Sequence, residues 1–301
     1  MDMLIECDEL ITISIMQEQP ILIVEGIDDI PVYEKIVNKI EKKVEIYSPE
    51  YFVGIESGCR GVTKIISFLN ANFTEELSSK YILGLVDKDV RDFRSELIVF
   101  ENLLNTIYYS MESHLVSDIV LKKIFSTYFY VLEKDVTSFH INDFWDYFYL
   151  ECEYLYLASI DALRNACIEN SQTIFTYNSD YNLVKNLKIQ KSLKENKIEN
   201  LIFSKSFNLE YDLDNIKKVC KGKWLLDFLC EKITYYILNE IKFCNELNTQ
   251  CSMCKLGRKS SCFFNIRIRP NKDSIEAIII SNVEHGDFDF LFHKLNKNFG
   301  I

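Results

Sequence analysis

The chain has 301 residues, 48% of them hydrophobic and 13% aromatic, with a formal charge of −11. This composition excludes a disordered polymer and allows one large core or two smaller ones, while the acidity excludes nucleic-acid binding through charge spread over the whole surface. No apolar run reaches the ~18 residues of a spanning helix, and Met1 to Glu6 is acidic where a signal peptide is basic, so a cytoplasmic protein without membrane contact is expected.

Ile21 to Val24 reads as a buried strand, and it ends abruptly in Glu25, Gly26, Asp28 and Asp29. A helix over about 29–43, a strand over about 52–56 and a helix over about 62–72 follow. A strand at about 82–87 ends in Asp87-Lys88-Asp89, and a short one is expected at about 106–110. Strands alternating with helices imply an α/β domain built on a mostly parallel sheet flanked by helices. From residue 115 the pattern changes: Ile119 to Leu132, Phe144 to Ile168 and Trp224 to Phe243 are long apolar-periodic stretches with few breakers. Five of the nine glycines lie in the first 84 residues, where tight turns are needed. The expected organisation is an α/β domain over 1–116 and a mainly α-helical region over 117–301, with a Cys-rich loop at 244–262.

Ligands of parallel sheets collect beyond the carboxyl ends of the strands, where Glu25 and Asp87 both fall. Asp87 and Asp89, two apart in extended chain, project to one side. Acids converging there repel unless a cation neutralises them, so metal is expected, and an all-oxygen donor set favours Mg²⁺ or Mn²⁺. Glu25 is either a general base or a ligand. Asp28 and Asp29 begin a helix, where capping is their ordinary role, though Asp29 is also one turn from Glu25 and in reach of a second metal. Between the acid motifs, Gly58 and Gly61 shape a turn into a helix. There backbone N–H groups, Arg60 and Lys64 either meet a substrate phosphate or simply make the turn.

Strand-Glu25-Gly26, a glycine-bearing segment, strand-Asp87-Lys88-Asp89 and then Tyr108-Tyr109-Ser110-Met111-Glu112-Ser113-His114 together resemble a Toprim domain, over roughly residues 18–116. The likeness is to the OLD and DUF4435 type. It implies that Glu25, Asp29, Asp87, Asp89 and Glu112 are metal-site acids, with Ser110 an accompanying hydroxyl. Met-Glu-Ser-His stands where that family often has Ile-Glu-Asn-Tyr, so no role transfers to Ser113 or His114. Size and the helical remainder look most like the nuclease effector of PARIS-type anti-phage systems. That likeness implies an Mg²⁺-dependent nuclease, homodimeric when active, that cleaves RNA such as host tRNA and is controlled by an ABC-type ATPase partner.

Ten cysteines in a reducing compartment are expected as thiols or metal ligands before disulfides. Four of them, Cys244, Cys251, Cys254 and Cys262, fall within 19 residues, and folding back brings four thiolates together as a structural Zn²⁺ requires. Such a centre would hold the basic loop of Lys255, Arg258 and Lys259 outward as an RNA or partner contact. A second basic group, Lys185, Lys188, Lys191, Lys194 and Lys197, forms a helical stripe for which a solvated surface is the plain reading. The aromatic stretch from Phe139 to Tyr156 is expected to be packing, and the four histidines show no metal spacing. Beside the anti-phage nuclease stand two alternatives: a housekeeping Toprim ribonuclease of RNA maturation, and a non-enzymatic module whose acids only contact a partner.

Overall fold

The structure is a computed structural model that describes residues 4–40, 43–241, 243–244, 250–283 and 285–300. The chain forms two units, residues 1–111 with 283–301, and residues 112–282.

The first unit is built on four parallel strands, β1 (Ile21–Ile23), β2 (Glu45–Tyr47), β3 (Ile82–Val86) and β4 (Leu103–Asn105), in the order β2-β1-β3-β4. β1 and β3 are neighbours, with Ile23 opposite Gly84. Every residue of both is buried, as expected of strands covered on both faces. Ile21, Ile23, Ile82 and Val86 pack with Val62, Ile66 and Leu69 of the helix Cys59–Asn72 and with Leu10 and Ile11 of the helix Glu9–Gln17. That second helix is absent from the sequence reading. Burying such side chains contributes on the order of 2 kcal/mol each.

The segment 283–301 also belongs here. Lys39 Nζ donates to the Val283 carbonyl at 2.7 Å, Tyr33 meets Phe288 edge-on, and Lys294 and Lys297 of the helix Asp289–Phe299 pair with Glu101.

Three expectations shift along the chain. The second strand is 45–47, not 52–56, because Pro49 opens a single 3₁₀ turn, Pro49–Tyr51, that ends pairing. Phe52 keeps only an isolated parallel bridge to Ile5. The last strand is 103–105, not 106–110, since Thr106 turns the chain by bonding through its hydroxyl to the Tyr108 carbonyl at 2.9 Å. The helix expected at 29–43 spans Ile30–Val37; residues 38–40 form backbone turns, and 41–42 lie outside the described residues.

The second unit is helical, as its periodicity indicated. Its longest element is the 30-residue helix Ser138–Cys167. Phe144 and Phe148, completely buried, meet Tyr236 and Phe228 edge-on, with ring centroids 5.2 and 5.3 Å apart. Phe144, Trp145, Phe148 and Tyr156 of the aromatic stretch are therefore core packing, while Phe139 is exposed. The helix Asp118–Tyr128 ends earlier than Leu132 because Phe129 turns extended and bridges Ile266. The helix Gly222–Tyr235 passes into a π turn, Tyr236–Glu240, short of Phe243. Asp161, fully buried, accepts the N–H groups of Ile174 and Phe175 at 2.6 and 2.8 Å, fastening the loop that follows the long helix. Among the described residues no helix is long and apolar enough to cross a membrane.

Candidate functional site

The pairing of β1 with β3 sets Glu25 and Asp87 beside each other at the same edge. The Asp87 N–H donates to Glu25 Oε1 at 2.9 Å, and the Glu25 carbonyl accepts the Gly58 N–H at 2.9 Å. Gly58 has φ +82°, a left-handed conformation that favours glycine. It starts the helix Cys59–Asn72 directly beside Glu25.

The chain after β4 is laced to the chain after β3. The Met111 N–H donates to Asp87 Oδ1 at 2.9 Å, the Lys88 N–H to the Thr106 hydroxyl at 2.8 Å, and the Asp89 N–H to the Tyr109 carbonyl at 2.7 Å. Asp89 is itself left-handed, with φ +49°, a conformation that aspartate tolerates better than most residues. Ser110 is buried in the same segment.

One residue at this edge went unseen in the sequence. The Arg91 guanidinium stands between the acids, with Nη2 3.6 Å from Glu25 Oε1 and 3.5 Å from Asp89 Oδ2. It also donates to the Asp87 carbonyl and to Cys59 Sγ. Its Nε is buried without an acceptor among the described residues. The cation that the convergence of acids demands is thus supplied, in this structure, by the protein. The signal lay in Asp87-Lys88-Asp89-Val90-Arg91: a basic residue two positions past the second aspartate.

Burial pushes the Glu25 carboxyl up from its ordinary value near 4.5 to about 7; the Asp87 N–H and Arg91 pull it down, and Asp89 adds to the rise. Burial likewise lowers the Arg91 guanidinium, against the pull of Glu25. The two oppositely charged groups are each destabilised by desolvation, and each offsets part of that cost for the other.

The remaining candidates divide. The Asp29 carboxylate accepts the Gly26 N–H at 3.2 Å, its capping role. Arg60 is exposed, and Lys64 reaches back to the Gly54 carbonyl at 3.3 Å, inside its own turn. From that helix it is Cys59 that touches the acid edge, through Arg91. Gly61 is buried at a close approach, where a Cβ would run into the Glu56 carbonyl and lie 2.7 Å from Pro49 Cβ. Glu112, half-buried in the short helix Met111–His114, is the first residue of the second unit.

The acids do not close into one metal-sized group. Among the described residues, the one gathering of three or more His, Cys, Asp or Glu ligand atoms is Cys244, Cys251, Cys254 and Cys262, all within 4.8 Å of one another. These four cysteines of the second unit are close enough together to hold one metal ion. Burial works against ionising Cys251, but the N–H groups of Phe263 and Cys254 and the neighbouring thiols draw it down to about 7. None of the ten cysteines forms a disulfide.

No family model matches this chain, and no curated protein matches it.

Proposed function

We propose that this chain is a metal-dependent phosphodiesterase of the Toprim type, acting on RNA such as host tRNA in anti-phage defence under the control of an ABC-type ATPase partner. The observation that carries the reading is the joining of Glu25 to Asp87, with Asp89 two residues on, at the ends of adjacent parallel strands. The oxygen donors of Asp87, Asp89 and Glu25 suit Mg²⁺ or Mn²⁺, and Arg91 already marks where these acids accept positive charge. The Toprim likeness also implies Asp29 and Glu112 as metal-site acids. At the four cysteines the proposed ion is Zn²⁺.

A bound divalent ion supplies charge neutralisation at the phosphodiester. The chain's own part is to place the groups and to take up a proton. Glu25, raised to about 7, accepts a proton from the attacking oxygen near neutral pH. The N–H of Asp87 holds that carboxylate in register, and the Met111 N–H fixes Asp87. Gly58, at the start of a 14-residue helix, turns its end of the backbone toward the same edge. The subunits act as a homodimer in this reading.

A second reading, a partner-binding module, draws on Arg91, which gives Glu25 and Asp89 a shared cationic partner without metal. Incubating the purified chain with labelled tRNA and Mg²⁺ separates the two. Cleavage that disappears with EDTA and with Asp87→Ala supports the phosphodiesterase, and binding without cleavage supports the module.

A further inference from the structure

The four cysteines come from two places: Cys244, beyond the π turn that ends the helix Gly222–Tyr235, and Cys251, Cys254 and Cys262 from one short stretch. Cys251 Sγ and Cys262 Sγ are 3.9 Å apart. A tetrahedral ion with Zn–S bonds of about 2.3 Å has sulfur–sulfur edges of about 3.8 Å, whereas a disulfide needs about 2.05 Å. Backbone N–H groups already point at the sulfurs: Cys251 N–H at Cys244 Sγ, 3.1 Å, and Phe264 N–H at Cys262 Sγ, 3.4 Å. Such donors stabilise thiolate more than thiol. Cys254 and Cys262 are buried.

The same stretch carries the basic loop. Lys255, Leu256, Gly257, Arg258 and Lys259 are all exposed, and no acidic residue occurs from Cys251 to Lys272. The turns Gly257 N–H to Cys254 O and Cys262 N–H to Lys259 O, at 2.9 and 3.1 Å, tie each end of the loop to a cysteine. The contrast with the other basic group is informative. Lys185 pairs with Glu231 at 2.5 Å, Lys197 with Glu153 at 2.6 Å, and Lys194 lies over the Tyr154 ring, so that stripe is largely committed to its own protein. Lys255, Arg258 and Lys259 make no ion pair among the described residues, in a chain whose charge is −11. Three cations without an ion pair among the described residues, on a loop clamped at both ends, form a local anion-binding surface in an otherwise repelling field.

We propose that Cys244, Cys251, Cys254 and Cys262 hold one structural Zn²⁺, and that this ion orders the loop Lys255–Lys259 as a contact for the phosphate backbone of RNA. RNA as the polyanion rests on the nuclease reading above; the zinc centre does not. The clamp lowers the ordering cost that a free basic loop meets on binding, so affinity depends on the ion even though no phosphate touches it.

The test uses the full chain. Metal analysis of protein purified without chelator is expected to give about one zinc per chain, lost in the Cys251→Ser/Cys254→Ser variant. Anisotropy of labelled tRNA, read in EDTA-free buffer without Mg²⁺, is expected to weaken at least about tenfold in Lys255→Gln/Arg258→Gln/Lys259→Gln, with the salt slope reduced by about two. That variant keeps its zinc and its circular dichroism, which separates lost charge from lost fold. The assay reads binding and not cleavage, so a chain that binds tRNA without cutting it leaves this result intact while overturning the nuclease reading. Zinc well below one per chain, with four reactive thiols, overturns the proposal; so does tRNA affinity unchanged in the triple variant, or preserved in the zinc-free double variant. Binding of an acidic protein but not of tRNA through the same three residues overturns the RNA assignment.

Discussion

Glu25 Oε1 accepts the backbone N–H of Asp87 at 2.9 Å, joining two acids 62 positions apart in sequence. This bond positions a carboxylate whose burial holds it protonated to about 7. As pH rises from about 4.5, the unfolded chain loses this proton while the native state keeps it, so stability falls until the native group ionises near 7. The loss amounts to about 3 kcal/mol above that window and is absent below it. Glu25→Gln lacks the slope. In EDTA, the urea midpoint of the variant is expected to exceed that of the wild type at about pH 8 and to approach it at about pH 5. A difference independent of pH contradicts the assignment.

Arg91 and a divalent ion compete for Glu25 and Asp89. Arg91→Ala is therefore expected to lower the Mg²⁺ concentration for half-maximal cleavage about three- to tenfold, and to move the Glu25 titration upward by removing a cation. An Mg²⁺ requirement that is unchanged or higher would instead make Arg91 part of the substrate contact. Titrating cleavage rate against Mg²⁺ at fixed pH distinguishes them.

Gly61 is where the helix Cys59–Asn72 passes the turn at Pro49 most closely. The atom a Cβ meets is the Glu56 backbone oxygen, which cannot rotate away. Gly61→Ala is expected to cost about 3 kcal/mol, the upper range for overpacking, and to disturb Gly58 beside Glu25. Equilibrium urea unfolding measures it; a loss below about 1 kcal/mol is the contrary result.

Asp161 serves the N–H groups of half-buried Ile174 and buried Phe175, and an amide of Asn200 at 3.4 Å. Asp161→Ala leaves those donors without their acceptor and is expected to destabilise the second unit by about 3 kcal/mol. The cleavage rate per folded molecule stays the same. Loss of rate in a fully folded Asp161→Ala protein runs against its structural role.

The acid edge was legible because strand-end carboxylates follow uninterrupted apolar runs, and Ile21–Val24 and Ile82–Val86 are such runs. Their adjacency followed from parallel topology. Arg91 was legible only as a basic residue two positions past Asp89; that spacing does not say that a chain reversal at left-handed Asp89 brings it back over Glu25. The second strand was misplaced because Tyr51 and Phe52 carry the apolar signal while the pairing residues, Glu45 to Tyr47, are only half-buried and flanked by charge. The cysteines were legible from their density, and their convergence is geometric fact. The lysine stripe was not separable from the Lys255–Lys259 loop until its carboxylate partners, 44 to 46 positions away, came into view.

The central claim is that Glu25 is indispensable to metal-dependent RNA cleavage. Its most direct test is expression of the wild type and of Glu25→Ala in growing cells, with tRNA integrity followed on denaturing gels. The account predicts growth arrest with discrete tRNA fragments from the wild type, freed of its partner ATPase, and intact tRNA with normal growth from an equally abundant Glu25→Ala protein. Equal fragmentation by the two proteins contradicts it.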